Sequence, residues 1–275
     1  MLDQSAQSIA AIDPPFRDWA PAVCRDPHVL DGHTGVPQSL ESVELLAPWE
    51  PGCTVFAGGA NYGNHLAELG LDGAQPTVFM KAASSLIGAH GDIQYPAITD
   101  CLDYEVELVA VFGATAFDPD DPWAGILGYA VGNDVSARDL QFAKSVTGMD
   151  IFSAKSLRAT SPVGPWIVTR DEVGDAKPNL TMTLNVNGEL RQHASTGEMA
   201  WDAAALLAYV DSRAGVGCGD LLFTGSPAGI GHTTGRYLQP GDVVEAAIEG
   251  LGAQRNIVSA RPTMPARKDN ALRSV

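Results

Sequence analysis

Apolar and polar positions alternate with a period of two over much of the chain. In 103–113, DYEVELVAVFG, the side chains of Tyr104, Val106 and Leu108 take one face of an extended backbone and those of Glu105 and Glu107 the other. Comparable short runs follow as AGILGYAVGND (124–134), SPVGPWIVTR (161–170), NLTMTLNVNGEL (179–190), DLLFTG (220–225) and DVVEAAIEGLG (242–252). Helical spacing occurs in NYGNHLAELG (61–70), SARDLQFAKSV (136–146) and TGEMAWDAAALLAYVDSR (196–213). NVNGEL and QPGDVV carry turn chemistry in which glycine supplies a positive φ. The pattern predicts an α+β, β-rich roll or distorted sandwich in preference to an alternating βαβ sheet. No repeat period is visible, which removes solenoids and propellers. The first fifty residues are Pro-rich and weakly periodic, and LLAPWEPG (45–52) punctuates their end. A small N-terminal region over 1–51, a main domain over 52–260 and a mobile tail over 261–275 are expected.

The 275 residues carry 17 basic and 33 acidic side chains, a net charge of −16. A basic footprint for nucleic acid is missing, so nucleic acid is not an expected partner. With 45% hydrophobic and 18% charged residues the chain can fill a core. Cys24, Cys53, Cys101 and Cys218 stand far apart with no C-x-x-C pair, which points to a reducing compartment and away from a zinc knuckle. The N-terminal stretch lacks the basic start of a signal peptide, and no apolar run approaches the ~18 residues of a membrane span. A cytoplasmic protein without a membrane partner is expected.

Glu105 and Glu107 side by side on one strand face are either a polar outer surface or half of a cation site. Their face continues into Val109 and Val111, and adjacent anions among apolar residues repel unless a cation sits between them. Asp134, at the end of an apolar run, is either a helix N-cap or a third carboxylate. An all-oxygen set of Glu105, Glu107 and Asp134 selects Mg²⁺ or Mn²⁺ ahead of Ca²⁺ and disfavours zinc. His65 and Glu68 stand at i and i+3, so on a helix they share a face; the pair is either a water-activating base with its orienting carboxylate or an incidental surface pair. Of only five lysines, Lys81, after the apolar TVFM, and Lys155, before the turn-rich SPVGPW, either are held near the acidic cluster to bind or neutralise substrate anions or lie solvated on the surface. Arg138 and Gln141 offer a guanidinium fork and an amide. TGSPAGIG, with Ser226, could cradle an anion in its backbone N–H groups; it is not a P-loop, and no G-x-S-x-G supports a serine hydrolase.

In order along the chain, LLAP, NYGNHLAE, the F-x-K of VFMK, DYEVELVAVFG, GYAVGNDVSARDLQ, SPVGPWIVT, VNGELRQ, DLLFTGSPAGIG and YLQPGDVVEAAIEGLG resemble the fumarylacetoacetate hydrolase family. The likeness runs from about residue 45 to 259 and is nearest the branch of acylpyruvases and 2-hydroxyhepta-2,4-diene-1,7-dioate isomerases. It implies the family's mixed β-roll with a small N-terminal appendage, usually as a homodimer. It makes Glu105, Glu107 and Asp134 ligands of Mg²⁺ or Mn²⁺, with Ca²⁺ also compatible. Catalysis would fall to His65, Glu68 and Lys155, and substrate binding to Arg138, Gln141, Ser226 and Lys81. The implied reaction is hydrolysis of a C–C bond in an acylpyruvate or related 1,3-dicarbonyl acid, with an enolate as leaving group. The alternative is a decarboxylase, tautomerase, isomerase or dehydratase of a 2-oxo acid at the same site. The chain departs from the family pattern at Arg158, where many members carry an acid, at Ser226 in place of threonine, and at Ala60 in place of leucine.

Overall fold

The computed structural model describes residues 2–3, 8–10, 12, 15–30, 35–64, 75–143, 145–146, 148–174 and 177–262. The strands are β1 (Leu2–Asp3), β2 (Ser8–Ile9), β3 (Gln38–Ser39), β4 (Val55–Gly59), β5 (Thr77–Lys81), β6 (Leu86–Gly88), β7 (Leu102–Asp103) and β8 (Val106–Phe112). They continue as β9 (Ile126–Asn133), β10 (Ser136–Ala137), β11 (Ser161–Thr169), β12 (Thr181–Val186), β13 (Glu189–Ser195), β14 (Leu221–Phe223), β15 (Val243–Ile248) and β16 (Gly252–Ile257). Helices are α1 (Phe16–Arg25), α2 (Arg138–Gln141), α3 (Ile151–Lys155), α4 (Arg170–Val173), α5 (Ala203–Ala214) and α6 (Gly231–Thr234).

A seven-stranded mixed sheet in the order β5-β4-β14-β8-β9-β11-β6 lies against a four-stranded antiparallel sheet, β13-β12-β15-β16. The β-rich α+β architecture is the one the alternation predicts. Each face of the large sheet buries a separate apolar cluster. Tyr104, Val106, Leu108, Ala110 and Phe112 point toward Met182, Leu184, Val244 and Ala246 of the second sheet. Val109 and Val111, on the opposite face, meet Val55, Phe223, and Ala20 and Val23 of α1. Burying each such side chain contributes roughly 1.5–3 kcal/mol, so neither face of β8 can turn to solvent.

Asn187 and Gly188, with φ of 52° and 76°, make the tight β12–β13 turn that NVNGEL predicts. Asp202 caps α5 through Ala205 N at 2.9 Å, and the helix buries Ala203, Leu206, Leu207 and Val210. Two helical expectations change. SARDLQFAKSV yields only the single turn of α2, because Ser136 and Ala137 pair as a strand with Asp103 and Leu102 and Asp150 N returns to Gln141 O. The N-terminal region, read as weakly periodic, holds α1; Phe16, Trp19, Ala20 and Val23 give the i, i+3, i+4, i+7 stripe that its prolines mask. Among the described residues no helix is long and apolar enough to cross a membrane.

Candidate active site

The β8–β9 register builds the acidic cluster. Val106 pairs with Asn133 and Glu107 with Gly132, so the next step of the ladder brings Glu105 opposite Asp134. Asp134 N donates to Glu105 O at 2.8 Å, and Asn133 Oδ1 accepts from Glu105 N at 2.9 Å. Opposite Glu107, residue 132 has no room for a side chain, since a Cβ there would come within 2.5 Å of Val109 Cγ2 and 2.7 Å of Phe223. Glu105, Glu107 and Asp134 are all buried, and each offers an oxygen within 4.8 Å of the others. Asp134 is no N-cap: α2 starts after Ala137, and the Asp134 carboxylate faces two lysines.

Neither Lys81 nor Lys155 is a surface residue. Lys155, ending α3, donates to Glu105 Oε2 at 2.7 Å and to Asp134 Oδ2 at 2.8 Å. Lys81, ending β5, donates to Asp134 Oδ1 and, at 2.9 Å, to Ser161 Oγ. Arg138 spans three partners: Nε to Asp103 Oδ2 at 2.8 Å, Nη2 to Glu105 Oε1, and Nη1 to Gln141 Oε1 at 2.8 Å. Asp103, Glu105, Glu107 and Asp134 against Lys81, Lys155 and Arg138 leave a net −1, which a divalent cation would turn to +1. Burial pushes the Glu107 carboxyl well above its ordinary value, and the charges of Asp134 and Glu105 add to this. Burial pulls the Lys81 ammonium down despite Asp134. For Lys155 burial acts in the same sense, but Asp134 and Glu105 outweigh it and the group is raised.

Glu107 Oε2 accepts from Gly225 N at 2.7 Å, whereas the buried Oε1 has no hydrogen-bond partner among the described residues. A buried oxygen-only donor set with one carboxylate oxygen unpartnered fits a hard divalent ion and fits zinc poorly.

The family model described as fumarylacetoacetate (FAA) hydrolase C-terminal matches residues 54–259. The chain belongs to the fumarylacetoacetate hydrolase family. It is 40% identical over 211 residues to the 2,4-didehydro-3-deoxy-L-rhamnonate hydrolase of Sphingomonas sp. (strain SKA58), covering 74% of this chain and 73% of that protein. The crystal structure of 2-hydroxyhepta-2,4-diene-1,7-dioate isomerase from Mycobacterium marinum superposes with a TM-score of 0.69 at 35% identity, over 82% of each chain. Fumarylpyruvate hydrolase from Pseudomonas aeruginosa, in complex with Mn²⁺ and pyruvate, gives a TM-score of 0.68 at 30% identity, over 75% of this chain and 89% of that one. The relatives are hydrolases and isomerases, and this member of the fumarylacetoacetate hydrolase family is an enzyme.

Of the residues that the family resemblance singles out, Lys81, Glu105, Glu107, Asp134, Arg138, Gln141 and Lys155 form one connected network. Ser226 adjoins it through the Gly225 contact with Glu107. His65 and Glu68 lie outside the described residues. Arg158 is exposed on the turn after α3. Two residues escaped the sequence reading. Asp103 accepts from Arg138 Nε, from Gly231 N at 2.7 Å and from His232 N at 2.9 Å, and Gln192 ties β13 to the Ser226 loop. Both stand inside recognisable motifs, DYEVEL and VNGELRQ, but the contacts that tie them to the site lie 34 to 129 residues away in sequence.

Gly225 is the point at which the loop meets the acids. Its φ is +94°, and a Cβ would come within 2.7 Å of Asn61 Cβ. Asn61 cannot give way, because its amide is fixed at 2.7 Å to both Trp201 O and Thr224 O. Gly225→Ala is therefore expected to withdraw the Gly225 N–H from Glu107 and to lower kcat/KM by about 10²–10³, the cost of one preorganised donor at a charged centre. Steady-state kinetics alongside thermal melting checks this; a variant with unaltered kinetics would mean that the donor is dispensable.

Proposed function

We propose that this enzyme is a divalent-metal-dependent hydrolase that cleaves a C–C bond in an acylpyruvate or related 1,3-dicarbonyl acid, with Mg²⁺ or Mn²⁺ held by Glu105, Glu107 and Asp134. The observation that carries the reading is the buried trio of carboxylates with the unpartnered Glu107 Oε1. The Sphingomonas relative supports the substrate class, since its name places oxidised carbons 2 and 4 around a deoxy carbon 3. The divalent ion supplies Lewis-acid polarisation of adjacent substrate oxygens.

The remaining work falls to the protein's own groups. Lys155, held charged by Glu105 and Asp134, stabilises negative charge developing on a substrate oxygen. Gln141 gives its carbonyl to Arg138, which leaves its amide NH₂ as the donor end for substrate. Lys81 and Ser226 contribute further donors. His65, oriented by Glu68, takes a proton from water as its oxygen bonds to the acyl carbon. The C–C electron pair passes to the methylene carbon, and protonation there gives a carboxylic acid and a 2-oxo acid. The family resemblance implies a homodimer, and the scattered cysteines fit the reducing cytoplasm.

The test is product analysis by NMR of acetylpyruvate and oxaloacetate, each incubated with Mn²⁺ or with EDTA. Equimolar acetate and pyruvate from acetylpyruvate, abolished by EDTA and by His65→Gln, is the expected result. The Mycobacterium marinum isomerase supports a second reading, enolate chemistry without water delivery. Metal-dependent pyruvate from oxaloacetate alone, formed faster than by Mn²⁺ without protein and surviving His65→Gln, would select that reading and sink the first.

A further inference from the structure

Gln192 is 1% exposed and reaches from β13 of the small sheet to the strand that carries the two glutamates. Its Oε1 accepts from Val106 N at 2.9 Å, between Glu105 and Glu107. Its Nε2 donates to Pro227 O at 2.9 Å and to Ser226 Oγ at 2.8 Å. The partners fix the amide orientation. A backbone N–H can only donate and a carbonyl can only accept, so the flipped amide would set donor against donor at Val106 and acceptor against acceptor at Pro227. The Ser226 oxygen must then accept from Gln192, and its own proton points elsewhere. Among the described residues the only acceptor for that proton is Pro227 O at 3.4 Å, beyond the usual 2.5–3.0 Å of an O–H···O bond and already engaged by Gln192.

We propose that Gln192 is a positioning residue that keeps the Ser226 hydroxyl as a hydrogen-bond donor for an anionic substrate oxygen, the carboxylate of the 2-oxo acid. This rests on the metal-dependent 2-oxo acid reading above. A glutamate at 192 would still accept the Val106 N–H with one oxygen, but its second oxygen would draw the Ser226 proton out of the site. A methionine there would free Pro227 O to take that proton. Either change costs the substrate one donor.

The test is titration calorimetry of oxalate, a planar mimic of a 2-oxo acid enolate, into the full chain with saturating Mn²⁺. Gln192→Glu, Gln192→Met and Ser226→Ala are each expected to weaken oxalate about ten- to a hundredfold, the worth of one hydrogen bond to a charged group. The double variant Gln192→Met/Ser226→Ala should bind no more weakly than Ser226→Ala alone, because Gln192 acts through the hydroxyl. With acetylpyruvate the loss should sit in KM and leave kcat largely intact. Gln192→Met should stay folded even where a buried glutamate does not. Oxalate binding at wild-type strength in Gln192→Met, or losses that multiply in the double variant, would overturn the positioning role alone. Wild-type protein that binds no oxalate in the presence of Mn²⁺ would overturn the 2-oxo acid reading and the Gln192 proposal with it.

Discussion

Glu107→Gln is expected to lower kcat/KM about a thousandfold or more and to weaken Mn²⁺ binding by more than the ~10–100-fold typical of a residue beyond the ligands themselves. The same variant, free of metal, should melt at least as high as the wild-type protein. Both outcomes follow from one fact: Glu107 is fully buried beside Glu105 and Asp134, and its Oε1 has no partner among the described residues. Without an ion, its carboxylate is repelled by its neighbours and has lost its water. The amide removes that repulsion and keeps an oxygen for the Gly225 N–H, at the expense of the ion's third ligand. The pH dependence has a definite sign. The folded-state carboxyl is raised above its unfolded value, so between the two values the folded protein holds a proton that the unfolded chain has released. Wild-type metal-free stability therefore falls as pH rises through that window. Glu107→Gln lacks this fall, and its advantage in melting temperature should widen with pH. Calorimetric melts at several pH values with EDTA read this directly; metal-stimulated activity at wild-type level in the variant would remove Glu107 from the site.

What the sequence made legible was local. The alternation in DYEVEL assigned Tyr104, Val106 and Leu108 to one face and both glutamates to the other, and the two apolar clusters divide in that way. A period of two is a property of the backbone, so it survives without knowledge of any partner strand. That Asp134 joins Glu105 depends on the register of β8 on β9, which a reading of single strands leaves open between cap and ligand. The burial of Lys81 and Lys155 was invisible for a related reason. A lysine stays charged in an interior only beside anions, and the strands and turns that deliver those anions are 53 and 21 residues from the lysines that meet Asp134. Asp103 and Gln192 were hidden further. Each sits within a recognisable motif, yet the role lies in hydrogen bonds to backbone groups of a distant loop, and backbone donors and acceptors carry no sequence signature. The glycines Gly132 and Gly225 belong to the same class, since the side chains they make room for, Phe223 and Asn61, come from elsewhere in the fold.

Lys155→Met is expected to destabilise the metal-free protein by about 3–5 kcal/mol, the range seen when one partner of a buried ion pair is removed. At about 2–4 °C per kcal/mol for a chain of this size class, the drop in melting temperature should be on the order of 10 °C. Lys155 bonds Glu105 and Asp134 together, with its side chain 5% exposed and theirs 8% and 0%. Removal leaves two buried anions facing Glu107, and the remaining cations cannot cover them: Arg138 is shared with Asp103, and burial already pulls the Lys81 ammonium down. A divalent ion acts on the same carboxylates. Mn²⁺ at a hundred times its Kd returns about 2.7 kcal/mol by mass action alone, so saturating metal should recover most of the lost melting temperature and raise it more in Lys155→Met than in the wild-type protein. Activity should not return with stability, because the ammonium that faces the developing negative charge is gone. Thermal melts of both proteins with EDTA and with Mn²⁺, read beside turnover, separate the two roles. A metal-free variant that melts like the wild type would show that Lys155 does not neutralise the acids. A variant that melts low and gains nothing from Mn²⁺ would show that the ion binds elsewhere.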